Sequence, residues 1–305
     1  MSEDEINYME IKTKNPSFLQ KFDPKMHDTI LIAGWLIGKA ERTKKTYTKV
    51  IRSFFEYHTK ISITQTTHAH VITFLKDAEN RKLKASTLNL YQNALSSLFQ
   101  FAVKRKKIDL DPTQGLKNYR IQNNVHQKIM YLDQIQQMLL KTKRPRDLLL
   151  IKILFYLGLR NEEATQILVS DFSLFKDGVI LNIKGKGTKI RQAPIGEDLW
   201  SEIQNYISLN DLKQSSYLFN DEKNQFRKLS TFAIWRAVKA AAKRAKVNPI
   251  PSPHWFRHTC ATMSLDGGAP IHLVQARLGH ASLSTTQIYL HAKPDEGLGK
   301  YLPKV

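Results

Sequence analysis

Apolar residues in the first third of the chain recur at the three- and four-residue spacing of amphipathic helices. Two series carry this spacing: Tyr47, Val50, Ile51, Phe54 and Phe55, then Leu88, Tyr91, Leu95, Leu98, Phe99 and Ala102. Ser86 or Thr87 stands where a hydroxyl can cap the second helix. Asp111-Pro112 ends the pattern, because the residue before a proline is disfavoured in a helix. This part of the chain is therefore predicted to be helical.

The remainder of the chain mixes helix and strand patterns. Residues 148–157 are apolar on nearly every side, which predicts a buried helix that ends near Gly158. Residues 178–195 predict two short strands joined by a Gly-Lys-Gly-Thr-Lys turn. Further helices are predicted at 197–209, at 230–246, from Ser252-Pro253 to Gly267-Gly268, and at 284–292. The whole pattern predicts a mainly α fold with a small β-sheet.

A chain of 305 residues is longer than one compact core usually holds, so we predict two domains. The pattern places a short N-terminal segment at 1–19, a helical domain at 20–117, a polar linker at 118–128, and a mixed α/β domain with a C-terminal tail at 129–305. No apolar run approaches the roughly 18 residues of a membrane span, and the acidic start is no secretory signal. The one cysteine, Cys260, cannot form an internal disulfide, which predicts a reducing, cytoplasmic compartment.

The charge of the chain indicates a class of partner. Lysine and arginine outnumber aspartate and glutamate by 47 to 27, which gives a net charge of +20. The excess lies in four clusters, at 104–107, 141–146, 184–191 and 239–246. A membrane-binding protein more often concentrates such charge on one helix or tail, whereas distributed clusters suit contact with many DNA phosphates. A basic protein with no polyanionic partner is the alternative that charge alone leaves open.

Two short segments place an arginine beside other polar groups. Arg160 follows the predicted buried helix, and Glu163, three residues later, can share a helix face with it. Taken alone, this pair reads as a surface ion pair. His254 and Arg257 are also three residues apart and project from one face of a predicted helix.

The second of these segments also has the spacing of a zinc site. His254 and His258 are four residues apart, as in zinc hydrolases, but those enzymes need a glutamate where this chain has Trp255. A positive Arg257 inside the site would also repel the metal. We therefore predict no metal. The lack of an accompanying carboxylate cluster for Mg²⁺ also weakens a two-metal nuclease.

Six polar residues of the basic half together suit metal-free cleavage of a phosphodiester. They are Arg160, Lys186, His254, Arg257, His280 and Tyr289. Arg160 and Arg257 can bind the non-bridging oxygens, which carry negative charge in the transition state. With a phenol pKa near 10, full ionisation of Tyr289 at pH 7 costs roughly 4 kcal/mol, so a base such as His254 matters. Lys186 in the hairpin turn can protonate the leaving 5′ oxygen.

Four segments resemble motifs of the tyrosine recombinase, or phage integrase, family. They are GLRNEE at 158–163, IKGKGTKIRQAPI at 183–195, PHWFRHTCAT at 253–262 and LGHASLSTTQIYLH at 278–291. The first and third resemble the two arginine boxes of the family, the second its lysine hairpin, and the fourth its terminal tyrosine segment. The resemblance is close over residues 129–292 and weaker over 20–117, and length and layout are nearest to the Xer-like branch.

The resemblance implies a fold and a set of site residues. The fold is an N-terminal helical SAM-like core-binding domain followed by a mixed α/β tyrosine-recombinase catalytic domain. Carried over by position, the activating residues are Arg160, Lys186, His254, Arg257 and His280, and the nucleophile is Tyr289. Glu163 matches a supporting acidic residue of the family, and His258 would be mainly structural.

The reaction that the resemblance implies is site-specific recombination of double-stranded DNA at paired sites. Attack by Tyr289 would give a 3′-phosphotyrosine and a free 5′-hydroxyl, and a 5′-hydroxyl of the partner strand would resolve the ester. Because bond energy is conserved, no cofactor is expected. The family works as a homo-tetramer through a four-way Holliday junction. A paralogous partner or a directionality factor is left open, as is the choice between chromosome-dimer resolution and integration of a mobile element.

Three other classes of protein share part of this chemistry. A type IB topoisomerase uses the same nucleophile but relaxes supercoils without a second site. A catalytically silent DNA-binding relative would have no physical need for all six residues. A metal hydrolase would lose its activity when divalent ions are removed.

Overall fold

The computed structural model describes residues 26–59, 61–121, 128–175, 178–185, 190–221 and 224–279. The chain divides into two compact units, Met1–Asn123 and Asn124–Val305. Lys186, His280 and Tyr289, three of the predicted site residues, lie outside the described residues, as does the helix predicted at 284–292. None of the helices within those ranges is long and apolar enough to cross a membrane.

The described part of the first unit is built from four α-helices around one core. They are α1 (Met26–Leu36), α2 (Glu41–Tyr57), α3 (His68–Asn80) and α4 (Ala85–Lys104), with a 3₁₀ turn at Ile63–Gln65. The rings of Phe54, Phe74 and Phe99 are fully buried. The Phe54 ring meets the other two edge-on, at centroid distances of 5.2 and 6.2 Å. The prediction that this region is helical is confirmed.

The predicted cap of α4 is wrong. The helix begins at Ala85, and its N-cap residue is Lys84, which makes no side-chain capping bond. Ser86 and Thr87 are therefore already inside the first turn, and the amide of Thr87 donates to the Lys84 carbonyl at 2.7 Å. The apolar periodicity locates the body of the helix but leaves its first residue undetermined, as is usual for helix ends.

The beginning of the polar segment predicted as a linker is paired with α4. The Asn89 side chain donates to the Tyr119 carbonyl at 2.9 Å and accepts from the Tyr119 amide at 2.8 Å. This pair of hydrogen bonds attaches the backbone at Tyr119 to the first unit.

The second unit has α6 at its centre. Its described helices are α5 (Leu132–Leu140), α6 (Pro145–Leu157), α7 (Asn161–Ala164), α8 (Glu197–Leu209), α9 (Thr231–Arg244), α10 (Pro253–Asp266) and α11 (Ile271–Leu278). Helix α6 packs against α8, α9 and α10, and its Leu150, Ile153 and Leu154 are fully buried. The all-round apolar pattern of this segment is explained by these contacts on several sides.

A small antiparallel sheet accompanies these helices. Its strands are β1 (Phe172–Phe175), β2 (Gly178–Lys184) and β3 (Ile190–Ile195), in that order, and β4 (Asn220–Asp221) and β5 (Asn224–Lys228) form a separate hairpin. Strands β2 and β3 are the two strands predicted from the sequence. Strand β1 was not predicted, because Leu174 and Phe175 are both exposed on this edge strand and no alternation marks it. The predicted fold class, mainly α with a small β-sheet, is confirmed.

Candidate active site

Gly158 shapes the end of α6. Its φ of 55° lies in the left-handed region, which glycine adopts without the cost that other residues carry. A Cβ at this position would lie 2.6 Å from Leu278 Cδ2 and 3.2 Å from Cys260 Sγ. Helices α10 and α11 therefore pack directly on this turn, and Arg160 follows it.

Arg257, on α10, is buried beneath this turn with only 1% of its surface exposed. Its Nη1 donates to the Gly158 carbonyl at 2.8 Å, and its Nη2 donates to the Leu278 carbonyl at 2.6 Å. A guanidinium in the interior needs such acceptors, because a buried charge without hydrogen bonds is costly. Arg257 thereby joins the end of α6 to the end of α11.

Arg160 precedes α7 and is the more accessible of the two arginines, with 41% of its side chain exposed. Its Nη1 donates to Glu163 Oε1 at 2.7 Å, and its backbone amide donates to Glu163 Oε2 at 2.7 Å. The contact expected between Arg160 and Glu163 is present. Because the Glu163 side chain is only 6% exposed, the pair is not a solvated surface ion pair.

The end of α11 brings the two arginines to one centre. Arg160 Nη2 donates to the Gly279 carbonyl at 3.1 Å, beside the Leu278 carbonyl that accepts from Arg257. The two guanidinium groups are therefore bound to consecutive residues at one helix end. The C-terminal end of a helix carries partial negative charge, which favours two cations at this place.

Glu163 is held as a carboxylate by its neighbours. Burial raises the pKa of Glu163, but hydrogen bonds from Arg191 and its charge, followed by the bonds from Arg160, outweigh burial and lower the pKa below its usual value. Arg191 Nη1 donates to Glu163 Oε1 at 2.7 Å, and Arg191 Nη2 donates to Glu163 Oε2 at 2.8 Å. The carboxylate is therefore ionised at neutral pH and bound by two guanidinium groups.

Arg191 is a member of this centre that was not predicted from the sequence. A signal for it exists in the strand pattern: Arg191 shares one face of β3 with Ala193 and Ile195, which are buried. A charged residue on the inward face of a strand requires an internal partner. The basic cluster at 184–191 hides this signal, because it places Arg191 among the cations expected to contact DNA phosphates.

His254 stands in the first turn of α10, close to the same cations. Burial among neighbouring groups lowers the pKa of His254, and the positive charges of Arg257, Arg160 and Lys128 lower it further. The ring is therefore neutral at pH 7 and able to accept a proton. The structure places His254 with Arg160, Arg257 and Glu163.

His258 packs against His254 and is 8% exposed, with ring centroids 4.9 Å apart. In the part of the chain that the structure describes, no three histidine, cysteine, aspartate or glutamate side chains are grouped as a metal site requires.

Two of the basic clusters lie side by side in the second unit. Arg244 Nε donates to the Lys141 carbonyl at 2.8 Å, which places the end of α9 against the segment that precedes α6. Lys143 and Lys243, one from each cluster, are exposed. Exposed cations from neighbouring clusters suit contact with a phosphate backbone.

Comparison with known proteins defines the class. Residues 128–296 match the phage integrase family, and residues 35–109 match the N-terminal SAM-like domain of phage integrases. The chain is 32% identical over 255 residues to the tyrosine recombinase XerA of Pyrococcus horikoshii, which covers 83% of this chain and 84% of that protein. It is 27% identical over 266 residues to the tyrosine recombinase XerD of Shewanella oneidensis, which covers 83% of this chain and 87% of that protein.

The fold is also similar to that of a solved recombinase structure. The structure of the XerH site-specific recombinase bound to difH substrate superposes with a TM-score of 0.70 at 24% identity, which covers 96% of this chain and 87% of that chain. The chain belongs to the phage integrase family. It is an enzyme of the tyrosine recombinase class, and the resemblance of its motifs to that family is confirmed.

Proposed function

We propose that this recombinase cleaves and rejoins double-stranded DNA at paired sites, with Tyr289 as the nucleophile. The observation that carries the proposal is the pair of arginines on adjacent carbonyls at the end of α11, with Glu163 bound to the outer one. Arg160 and Arg257 are permanently charged and have several donors each. Such groups stabilise a phosphate whose negative charge grows during attack.

A residue of this chain is proposed for each proton transfer and each bond change in the reaction. The phenol oxygen of Tyr289 attacks phosphorus, its proton passes to His254, and the bond from phosphorus to the 5′ oxygen breaks. Lys186 protonates that leaving oxygen, and His280 donates a hydrogen bond to the phosphate. The 5′-hydroxyl of the partner strand then attacks the 3′-phosphotyrosine and releases Tyr289. One phosphoester replaces another at every step, so the reaction needs no cofactor.

The proposed assembly is a homo-tetramer on two DNA sites that passes through a Holliday junction. Lambda integrase, which has a related fold, has been solved as a tetramer bound to a Holliday junction. Recombination by the purified chain alone would indicate that one protein suffices. Recombination only after addition of cell extract would indicate a paralogous partner or a directionality factor.

A plasmid assay tests the proposed function. Duplexes that bind the chain are first selected from a random pool, and two copies of the selected site are placed in the same orientation in one supercoiled plasmid. Incubation with the chain in EDTA is expected to give two product circles, each with one site. Relaxed plasmid without exchange, from a plasmid with a single site, would indicate a topoisomerase instead. Binding with neither result would indicate a silent DNA-binding relative.

The pH dependence of cleavage tests the proposed base. Because the pKa of His254 is lowered, the ring is neutral above its ordinary value of about 6.5 and gains a proton only at more acidic pH. The single-turnover cleavage rate is therefore expected to be level at and above about pH 7 and to fall only at a pH more acidic than about 6.5. His254→Gln is expected to be about 10²- to 10³-fold slower. The cleavage rate of this variant should also no longer fall at acidic pH. An unchanged fall would assign the titration to another group.

A further inference from the structure

The last three residues at the end of α11 each accept a hydrogen bond from a different arginine. The pairs are Arg191 Nε to the Arg277 carbonyl, Arg257 Nη2 to the Leu278 carbonyl, and Arg160 Nη2 to the Gly279 carbonyl, at 2.8, 2.6 and 3.1 Å. The proposed chemistry uses the second and third of these arginines and gives no role to the first.

We propose that Arg191 is a positioning residue of the cleavage centre, which fixes the guanidinium of Arg160 through the carboxylate that they share. The proposal rests on the proposed function, because it concerns the rate of strand cleavage. Glu163 Oε1 accepts from Arg160 Nη1 and from Arg191 Nη1, both at 2.7 Å. The orientation of Glu163 therefore decides where Arg160 points, and Arg191 is the second group that sets this orientation.

Arg191 is suited to hold a neighbour rather than to contact DNA. Its side chain is 12% exposed, whereas that of Arg160 is 41% exposed. Its two Nη atoms form a fork on Glu163, and its Nε donates to the Arg277 carbonyl. One planar group thus ties β3 to α7 and to the end of α11. Such bidentate bonds add geometric constraint as well as attraction.

Each oxygen of the Glu163 carboxylate accepts two hydrogen bonds from the two arginines. Glu163 Oε2 accepts from the backbone amide of Arg160 at 2.7 Å and from Arg191 Nη2 at 2.8 Å. Without Arg191, one donor on each oxygen is lost, and the carboxylate can turn with Arg160 attached. Gly279 supports the same packing, because a Cβ at that position would lie 3.0 Å from Arg191 Cδ.

Arg191→Lys tests the proposal. A lysine keeps the positive charge, but a single ammonium cannot bridge both carboxylate oxygens and the Arg277 carbonyl. The Arg160 guanidinium would then move relative to the phosphate. This displacement is expected to slow single-turnover cleavage of a nicked suicide duplex about 10- to 100-fold. The dissociation constant for that duplex should change by about twofold or less, because a positioning role affects the reacting state and not the docking of DNA.

The cleavage rate of the double variant Arg160→Ala, Arg191→Lys, compared with that of Arg160→Ala alone, separates a positioning role from general structural support. If Arg191 acts through Arg160, Arg191→Lys should slow cleavage by no more than about twofold in the Arg160→Ala background. Glu163→Gln provides a second route if Arg191→Lys folds poorly, since it removes the charge of the shared carboxylate and should give a similar loss of rate that is absent in the Arg160→Ala background. Lys152→Gln, which removes an ion pair with Glu202 elsewhere in the second unit, is the matched control and should cleave at the wild-type rate.

Three outcomes would overturn the proposal. A wild-type cleavage rate for Arg191→Lys, with wild-type protein active, would remove Arg191 from the centre and leave the proposed function intact. A loss of equal size in the wild-type and Arg160→Ala backgrounds would assign Arg191 a structural role only. If wild-type protein itself fails to cleave the duplex, the proposed function and this proposal both fail.

Discussion

Replacement of Arg257 by lysine is expected to lower the single-turnover rate of strand cleavage by about 10³-fold and the free energy of unfolding by about 2–3 kcal/mol. Both effects have one cause. The guanidinium donates to the Gly158 and Leu278 carbonyls from two nitrogen atoms, and an ammonium cannot reach both from one. A carbonyl left without a donor in the interior accounts for the lost stability, and a displaced cation for the lost rate.

Two measurements separate these effects. Urea unfolding gives the change in stability, and cleavage of a nicked duplex at saturating protein gives the change in rate. Lys152→Gln is the control for removal of a cation from the same unit. An Arg257→Lys variant that cleaves within about tenfold of wild type would show that the buried guanidinium supports the fold without taking part in the reaction.

Tyr289→Phe is expected to abolish the covalent complex with DNA, which is the largest effect that the proposed mechanism predicts. The substitution removes one oxygen atom, the proposed nucleophile, and leaves the ring in place. DNA binding should therefore stay within about threefold of wild type, since no charge is lost. The measurement is the yield of protein joined to a labelled suicide duplex after denaturation.

Tyr156→Phe is the matched control for this variant. Tyr156 lies near the end of α6, two residues before Gly158 and four before Arg160, and is 60% exposed, so its hydroxyl is accessible. It should form the covalent complex at the wild-type yield. A covalent complex in Tyr289→Phe that disappears in Tyr156→Phe would reassign the nucleophile.

The core of both units is predictable from apolar spacing, because burial repeats along a helix or strand with a fixed period. The all-round apolar run at 148–157 correctly predicted the central helix α6, and Gly158 correctly marked its end. The N-cap of α4 was predicted two or three residues after Lys84, and strand β1 was not predicted. Lys84 carries no capping signal, and the exposed residues of β1 carry no alternation.

The sequence indicates candidate residues for the site, but it indicates few of the hydrogen bonds that join them. The spacing of Arg160 and Glu163 anticipated their contact, because three residues make less than one helical turn. The convergence of Arg160, Arg257 and Arg191 on the end of α11 depends on tertiary packing between segments far apart in the chain. No local pattern encodes it. The roles in the reaction of all six predicted residues stay predictions: Arg160, Lys186, His254, Arg257, His280 and Tyr289.

The residue that becomes joined to DNA can be identified chemically. Wild-type protein is trapped on a nicked duplex of selected sequence in the presence of EDTA and digested, and the nucleotide-bearing peptide is sequenced by mass spectrometry. We expect a 3′-phosphate ester on Tyr289 and a free 5′-hydroxyl on the released strand. An adduct on another residue, or cleavage that leaves no adduct and requires divalent ions, would contradict the proposed mechanism.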